Sequence, residues 1–210
     1  MSKSRFEAFS DSVFAFAITL LILGIALPEF KNPPPEGEIT RALLHLWPNL
    51  LAYALSFAVI GLMWQNHHAL FRLVDRVDRT TIFLTLILLG VTAFIPFATS
   101  TLGAYPGMRP STFLYGATLT SSATVYNLLI MHLVRNGAFN ANVSRSTIHQ
   151  TVISYRVGFV TYAVATLTAL FAPVLSFALY LLVAAYFLLP RGVDSDLAGK
   201  STHARQQNSL

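Results

Sequence analysis

The 210-residue sequence contains no cysteine, which excludes disulfides, thiolate metal sites and cysteine nucleophiles. Charge is also scarce. Asp, Glu, Lys and Arg make up 11% of the chain, against about 25% in a soluble domain. With 54% hydrophobic residues and a mean hydropathy of +0.59, a water-soluble globule of this size lacks the polar surface to cover itself. The same figures exclude disorder. There is no His-Glu-x-x-His and no nucleophile–base pair with usable spacing, so a membrane-embedded hydrolase or metalloenzyme has no chemistry to work with. The net charge of +5 belongs, in so apolar a chain, to cytoplasmic loops and not to a nucleic-acid surface.

What is present is a series of long apolar runs. A bilayer span needs about 20 mainly apolar residues, and six segments qualify: 6–27, 43–65, 81–102, 113–134, 152–171 and 174–189. The first is stopped by Pro28, and the last two form a tight hairpin around Ala172 and Pro173. The spacing predicts an all-α integral membrane protein with a six-helix domain over 1–192 and a polar cytoplasmic tail over 193–210. Pro33-Pro34-Pro35 makes a stiff connector in the first external loop. A cleaved signal peptide is disfavoured by Glu7 and Asp11, which interrupt its expected n- and h-regions.

Orientation follows from the basic residues. With six spans, Lys3, Arg5, Arg72, Arg76, Arg79, Arg135, Arg145, Arg156, Arg191, Lys200 and Arg205 fall on one side. Lys31, Arg41 and Arg109 fall on the other, which accounts for all 14. Both termini are therefore expected in the cytoplasm, with the chain in the plasma membrane.

Polar groups inside spans are costly and informative. Asp11 lies six residues past Arg5, roughly 9 Å deeper along a helix. The second span runs back to end at Trp64-Gln65-Asn66-His67-His68, so Arg5, Ser10 and Asp11 are expected level with Asn66, His67 and His68. A buried carboxylate beside imidazole and amide donors reads as a structural network, as a proton relay or as a metal site. Adjacent histidines share no helix face, so a metal site has poor geometry. Phe16, Leu20, Leu23 and Leu27 form a stripe at i, i+4, i+7 and i+11. Asp11 sits about 140° away from Phe16 and faces neighbouring helices. On periodicity alone the stripe is lipid-facing or packing surface. Thr118, Thr120, Ser121, Ser122, Thr124 and Asn127 of the fourth span suit close interhelical packing, with a polar pathway as the alternative.

The opening Arg5-x-x-x-Phe9-Ser10-Asp11, followed by Val13 through Leu20, resembles the start of the transmembrane protein 175 family of potassium channels. The pattern Trp64, Asn66, His67, His68 and Phe71 is similar to the same family. The resemblance covers nearly the whole chain in the family's single-repeat form. It implies a homotetramer whose first helices line a central pore without a Thr-Val-Gly-Tyr-Gly carbonyl filter. Apolar rings would narrow that pore at the positions five, nine and twelve residues after the motif Asp: Phe16, Leu20 and Leu23. Thr19 and Leu27 would lie beside the pathway. The first ring is usually a branched aliphatic residue, and here it is Phe16. Arg5, Phe9, Ser10, Asp11, Trp64, Asn66, His67 and His68 would fix the first helix against its neighbours. The expected activity is a potassium-permeable cation channel, with monovalent cations as permeants and no cofactor. A proton-coupled secondary transporter using Asp11 and His67 is the alternative.

Overall fold

The structure, a computed structural model, describes residues 3–30, 32 and 34–188. Seven α-helices account for nearly all of it. The first, α1, spans Lys3–Leu20 and tightens into a 3-10 helix over Leu21–Gly24. There follow α2 (Glu36–His45), α3 (Trp47–Arg72), α4 (Arg79–Ala104), α5 (Arg109–Arg135), α6 (Arg145–Thr168) and α7 (Pro173–Leu188). Local chemistry sets several boundaries. Pro48 and Pro110 sit in the first turns of α3 and α5, where the missing N–H costs nothing. Asp78 caps α4 by accepting Thr81 N–H at 2.7 Å, and Ser144 caps α6 by accepting Thr147 N–H at 3.1 Å.

Among the described residues, four helical segments are long and apolar enough to cross a membrane: Lys3–Gly24, α3, α4 and α5. Among the described residues α7 is apolar but shorter. Several expected boundaries shift, three of them with a bearing on the site. Leu43 and Leu44, which read as the start of the second span, belong to the separate helix α2, whose first residues fall in the expected loop. Helix α3 runs on to Arg72, so Asn66, His67 and His68 lie within it and not at its end, because Leu70 and Phe71 continue its buried face. Helix α6 begins at Arg145, well before residue 152. The 193–210 tail, Leu189, Lys31, Arg191, Lys200 and Arg205 lie outside the described residues.

Helix α1 packs on α3 and α4; α4 packs on α5, α5 on α6, and α7 closes against α3, α5 and α6. The larger apolar core includes Phe14, Leu21, Ile60, Ile95, Tyr115 and Tyr180. A smaller one at the Lys3 end joins Phe6, Leu70, Phe71, Val74, Leu129 and Leu133. Polar side chains stitch the helices where hydrophobic driving force is weak. Ser56 lies 2.7 Å from Thr99 and 3.0 Å from Tyr115, Thr120 lies 2.9 Å from Thr166, and Asn127 Nδ2 donates to Tyr155 O at 3.0 Å. Thr118, Ser121, Ser122 and Thr124 instead bond carbonyls of their own helix. Gly116 admits the Tyr180 hydroxyl and Thr166 against the α5 backbone.

Candidate functional site

Helix α1 has two faces. Phe6, Ser10, Phe14, Ala17 and, in the 3-10 turn, Leu21 are buried against α3 and α4. Their spacing of four, four, three and four residues is that of one helical stripe. The opposite face is bare within the subunit. Phe16 is 64% exposed and Leu23 74%, and Ser12 and Thr19 are exposed between and beside them. Leu20 is only half-buried, at the margin of this face. Leu27 is exposed but lies past the 3-10 turn, where the backbone at Ile25 is already extended, so it does not continue the helical stripe. The Thr19 and Ser12 hydroxyls donate to the Phe16 and Ala8 carbonyls, both at 2.8 Å. Each hydroxyl oxygen thereby keeps acceptor capacity toward the bare face.

The polar motif resolves into two units. Asp11 Oδ1 accepts Trp64 Nε1–H at 2.9 Å, and the Trp64 ring stacks on His68 at 6.0 Å between centroids. His67 is 1% exposed and sits among phenyl rings, with centroids 4.6 Å from Phe71, 5.4 Å from Phe14 and 6.5 Å from Phe6. Its Nε2 has no hydrogen-bond partner among the described residues. Asp11 and His67 are neighbours, but among the described residues no hydrogen bond joins the carboxylate to the imidazole. The α1 stripe that meets His67 carries Phe6 and Phe14, and Asp11 lies off that stripe, beside Trp64. Ser10 donates to Phe6 O of its own helix at 3.0 Å. Arg5, Phe9 and Asn66 are exposed, and the Asn66 carbonyl accepts the Tyr155 hydroxyl at 3.1 Å. Among the described residues no group of three His, Asp or Glu side chains is placed to hold a metal ion. Phe6 and Phe14 were not among the expected site residues, although the spacing of α1's buried stripe carries that signal.

A family model described as "Endosomal/lysosomal potassium channel TMEM175" matches residues 5–96, which takes in both motifs. A protein of Streptomyces collinus named as a potassium channel is 38% identical over 190 residues, covering 88% of this chain and 91% of its own. The chain belongs to the TMEM175 family. The crystal structure of a lysosomal potassium-selective channel TMEM175 homolog from Chamaesiphon minutus superposes with a TM-score of 0.80 at 36% identity, covering 89% of this chain and 96% of that one. The crystal structure of a variant of the potassium channel MtTMEM175, in complex with a nanobody–MBP fusion protein, shares the fold at a TM-score of 0.62 and 20% identity, covering 93% of each chain. Together with its four membrane-capable helices, TMEM175 membership makes the chain a membrane protein. Its relatives are named for conduction and not for catalysis.

Proposed function

We propose that the chain is a subunit of a homotetrameric, potassium-permeable cation channel in the plasma membrane. Six helices span per subunit, termini and the 193–210 tail are cytoplasmic, and monovalent cations are the permeants. Four copies of α1 surround the pore. Phe16, Leu20 and Leu23 form apolar rings that exclude water when narrow and admit it when the first helices part. Thr19 lies between the rings, and Leu27 lines the external mouth. The observation that carries this reading is the bare face of α1: Phe16 and Leu23 are 64% and 74% exposed opposite a fully packed stripe. The relatives named as potassium channels support the choice of ion. Asp11, held by Trp64, and the phenyl-enclosed His67 position α1 without touching the pathway.

Potassium flux from liposomes tests the rings. Phe16→Ala and Leu23→Ala are each expected to alter potassium permeation or the ranking of Cs, K and Na. Unchanged flux and ranking in both variants sinks the mechanism. The proton-coupled transporter gains no support from the geometry, since Asp11 and His67 do not bond one another.

A further inference from the structure

At the Lys3 end of the bundle three membrane-capable helices reach the surface together: α3 ends at Arg72, α4 begins at Arg79 and α5 ends at Arg135. The two linkers there, residues 73–78 and 136–144, are joined to one another. Val74 and Phe139 form an isolated antiparallel bridge. Asp75 N–H donates to Ala138 O and Asn140 N–H to Leu73 O, both at 2.9 Å. Asn140 Nδ2 adds a bond to the Arg72 carbonyl at 3.2 Å. Both linkers and the helix ends that flank them therefore share one surface. It carries Arg72, Arg76, Arg79, Arg135 and Arg145, all exposed.

Little in the chain neutralises these charges. Among the described residues, none of the five guanidinium groups has an ion-pair or hydrogen-bond partner. The carboxylates at this end are mostly engaged elsewhere. Glu7 lies 3.8 Å from Lys3, and Asp78 accepts from Thr81 N–H and meets His132. Asp75 is the one left exposed and unpaired among the described residues here. Like charges held on a pinned surface repel one another, and an anion relieves them.

The side chains beneath the arginines indicate which anion. Arg79, Phe83 and Leu86 follow i, i+4 and i+7 along α4, and Phe83 is 61% exposed. Arg135 and Leu128, seven residues apart on α5, share a face, and Leu128 is 50% exposed. Each of these two guanidinium groups therefore crowns a bare apolar strip of its own spanning helix. A phospholipid matches both parts, with phosphate against the guanidinium fork and an acyl chain along the strip. A soluble anion uses the arginines and leaves the strips uncovered.

We propose that the joined linkers form a binding surface for anionic phospholipids, in which Arg79 and Arg135 hold headgroup phosphates and Phe83, Leu86 and Leu128 receive acyl chains. Arg72, Arg76 and Arg145 supply the surrounding positive field, which favours a net-negative headgroup over a zwitterionic one. The surface requires that α3, α4 and α5 cross the membrane and does not depend on conduction.

The full chain, immobilised in neutral detergent, is exposed to equal phosphatidylglycerol and phosphatidylcholine with matched acyl chains, washed, and its retained lipid quantified by mass spectrometry. Phosphatidylglycerol is expected to be retained over phosphatidylcholine by about fivefold or more, the equilibrium factor of one basic side chain at an anionic surface. Arg79→Gln combined with Arg135→Gln is expected to bring the ratio within about twofold of parity. Arg109→Gln, at the other end of α5, is expected to leave it unchanged. Excess inorganic phosphate is expected not to displace the lipid. A wild-type ratio near one, a double variant that keeps the wild-type ratio, or displacement by inorganic phosphate overturns the proposal. Should the double variant fail to fold, the wild-type ratio is expected to fall toward parity in about 1 M salt, and a ratio indifferent to salt overturns it. Disulfide-linked subunits from Phe83→Cys on non-reducing gels would seat a second copy on the α4 strip and overturn it as well.

Discussion

Asp11 lies about 9 Å past Arg5 along a membrane helix, and the residue that satisfies it is an indole, not an imidazole. The Trp64 N–H is a donor that stays neutral at every accessible pH, so the contact holds α1 to α3 without adding a second charge. Trp64→Phe keeps most of the ring and removes the donor. It is expected to lower the thermal midpoint in detergent, with a loss of about 1 kcal/mol, and an unchanged midpoint would remove Asp11 from the positioning role. Asp78 makes a separate, pH-dependent contribution. Hydrogen bonds from the Thr81 side chain and backbone, with His132 adding to them, outweigh desolvation and hold its carboxyl down to about 2, below the ordinary 3.8. A lowered folded value stabilises the native state above the ordinary one. That contribution is complete above about pH 4 and is lost as pH falls through about 2. Asp78→Asn is expected to flatten the stability-against-pH curve across that window, as followed by thermal melts. At this scale the sequence names the polar residues but not their pairings. Asp11, Trp64 and His67 are all readable as costly groups in spans. Which of them meet depends on the rotation of α1 against α3, and that is set by Phe6, Phe14 and Phe71.

Helix identity is mostly legible, and helix ends less so. The runs that became α3, α4 and α5 announce themselves by length and apolarity, and the hydroxyls of α5 by their number. Helix α2 is hidden because Leu43 and Leu44 read as the start of the next span, and Pro48, which marks the first turn of α3, sits inside that same apolar run. The tightening at Leu21 is equally silent, since Pro28 lies several residues beyond it. Gly116 shows what packing adds to periodicity. A methyl group there overlaps the Tyr180 hydroxyl and Thr166, and neither atom terminates a long flexible chain. Gly116→Ala is expected to destabilise the α5–α6–α7 packing by about 1–3 kcal/mol. A drop in the temperature at which the detergent-solubilised protein aggregates checks it, with Gly90→Ala, where a methyl meets open space, as the neutral control.

For the whole molecule the open matter is what covers the bare face of α1, and the chain's lack of cysteine makes this measurable. Single cysteines at Ser12 or Thr19 are expected to cross-link copies of the subunit on oxidation, giving dimers on non-reducing gels. A cysteine at Val160, 57% exposed on α6, is expected to remain monomeric. Cross-linking at Val160 but not at Thr19 would place α1 against lipid. No single chain carries this information, because a stripe facing a twin and a stripe facing acyl chains have the same composition. The family resemblance chose between them where spacing did not. The change of winding at Leu21 bears on how such a pore moves. Phe16 rides on the α-helical part, whereas Leu23 belongs to the 3-10 turn, which is moored by buried Leu21 and by Gly24, whose backbone lies close against Ser100 of α4. On the channel reading the inner and outer collars therefore sit on differently wound backbone with separate attachments to the bundle.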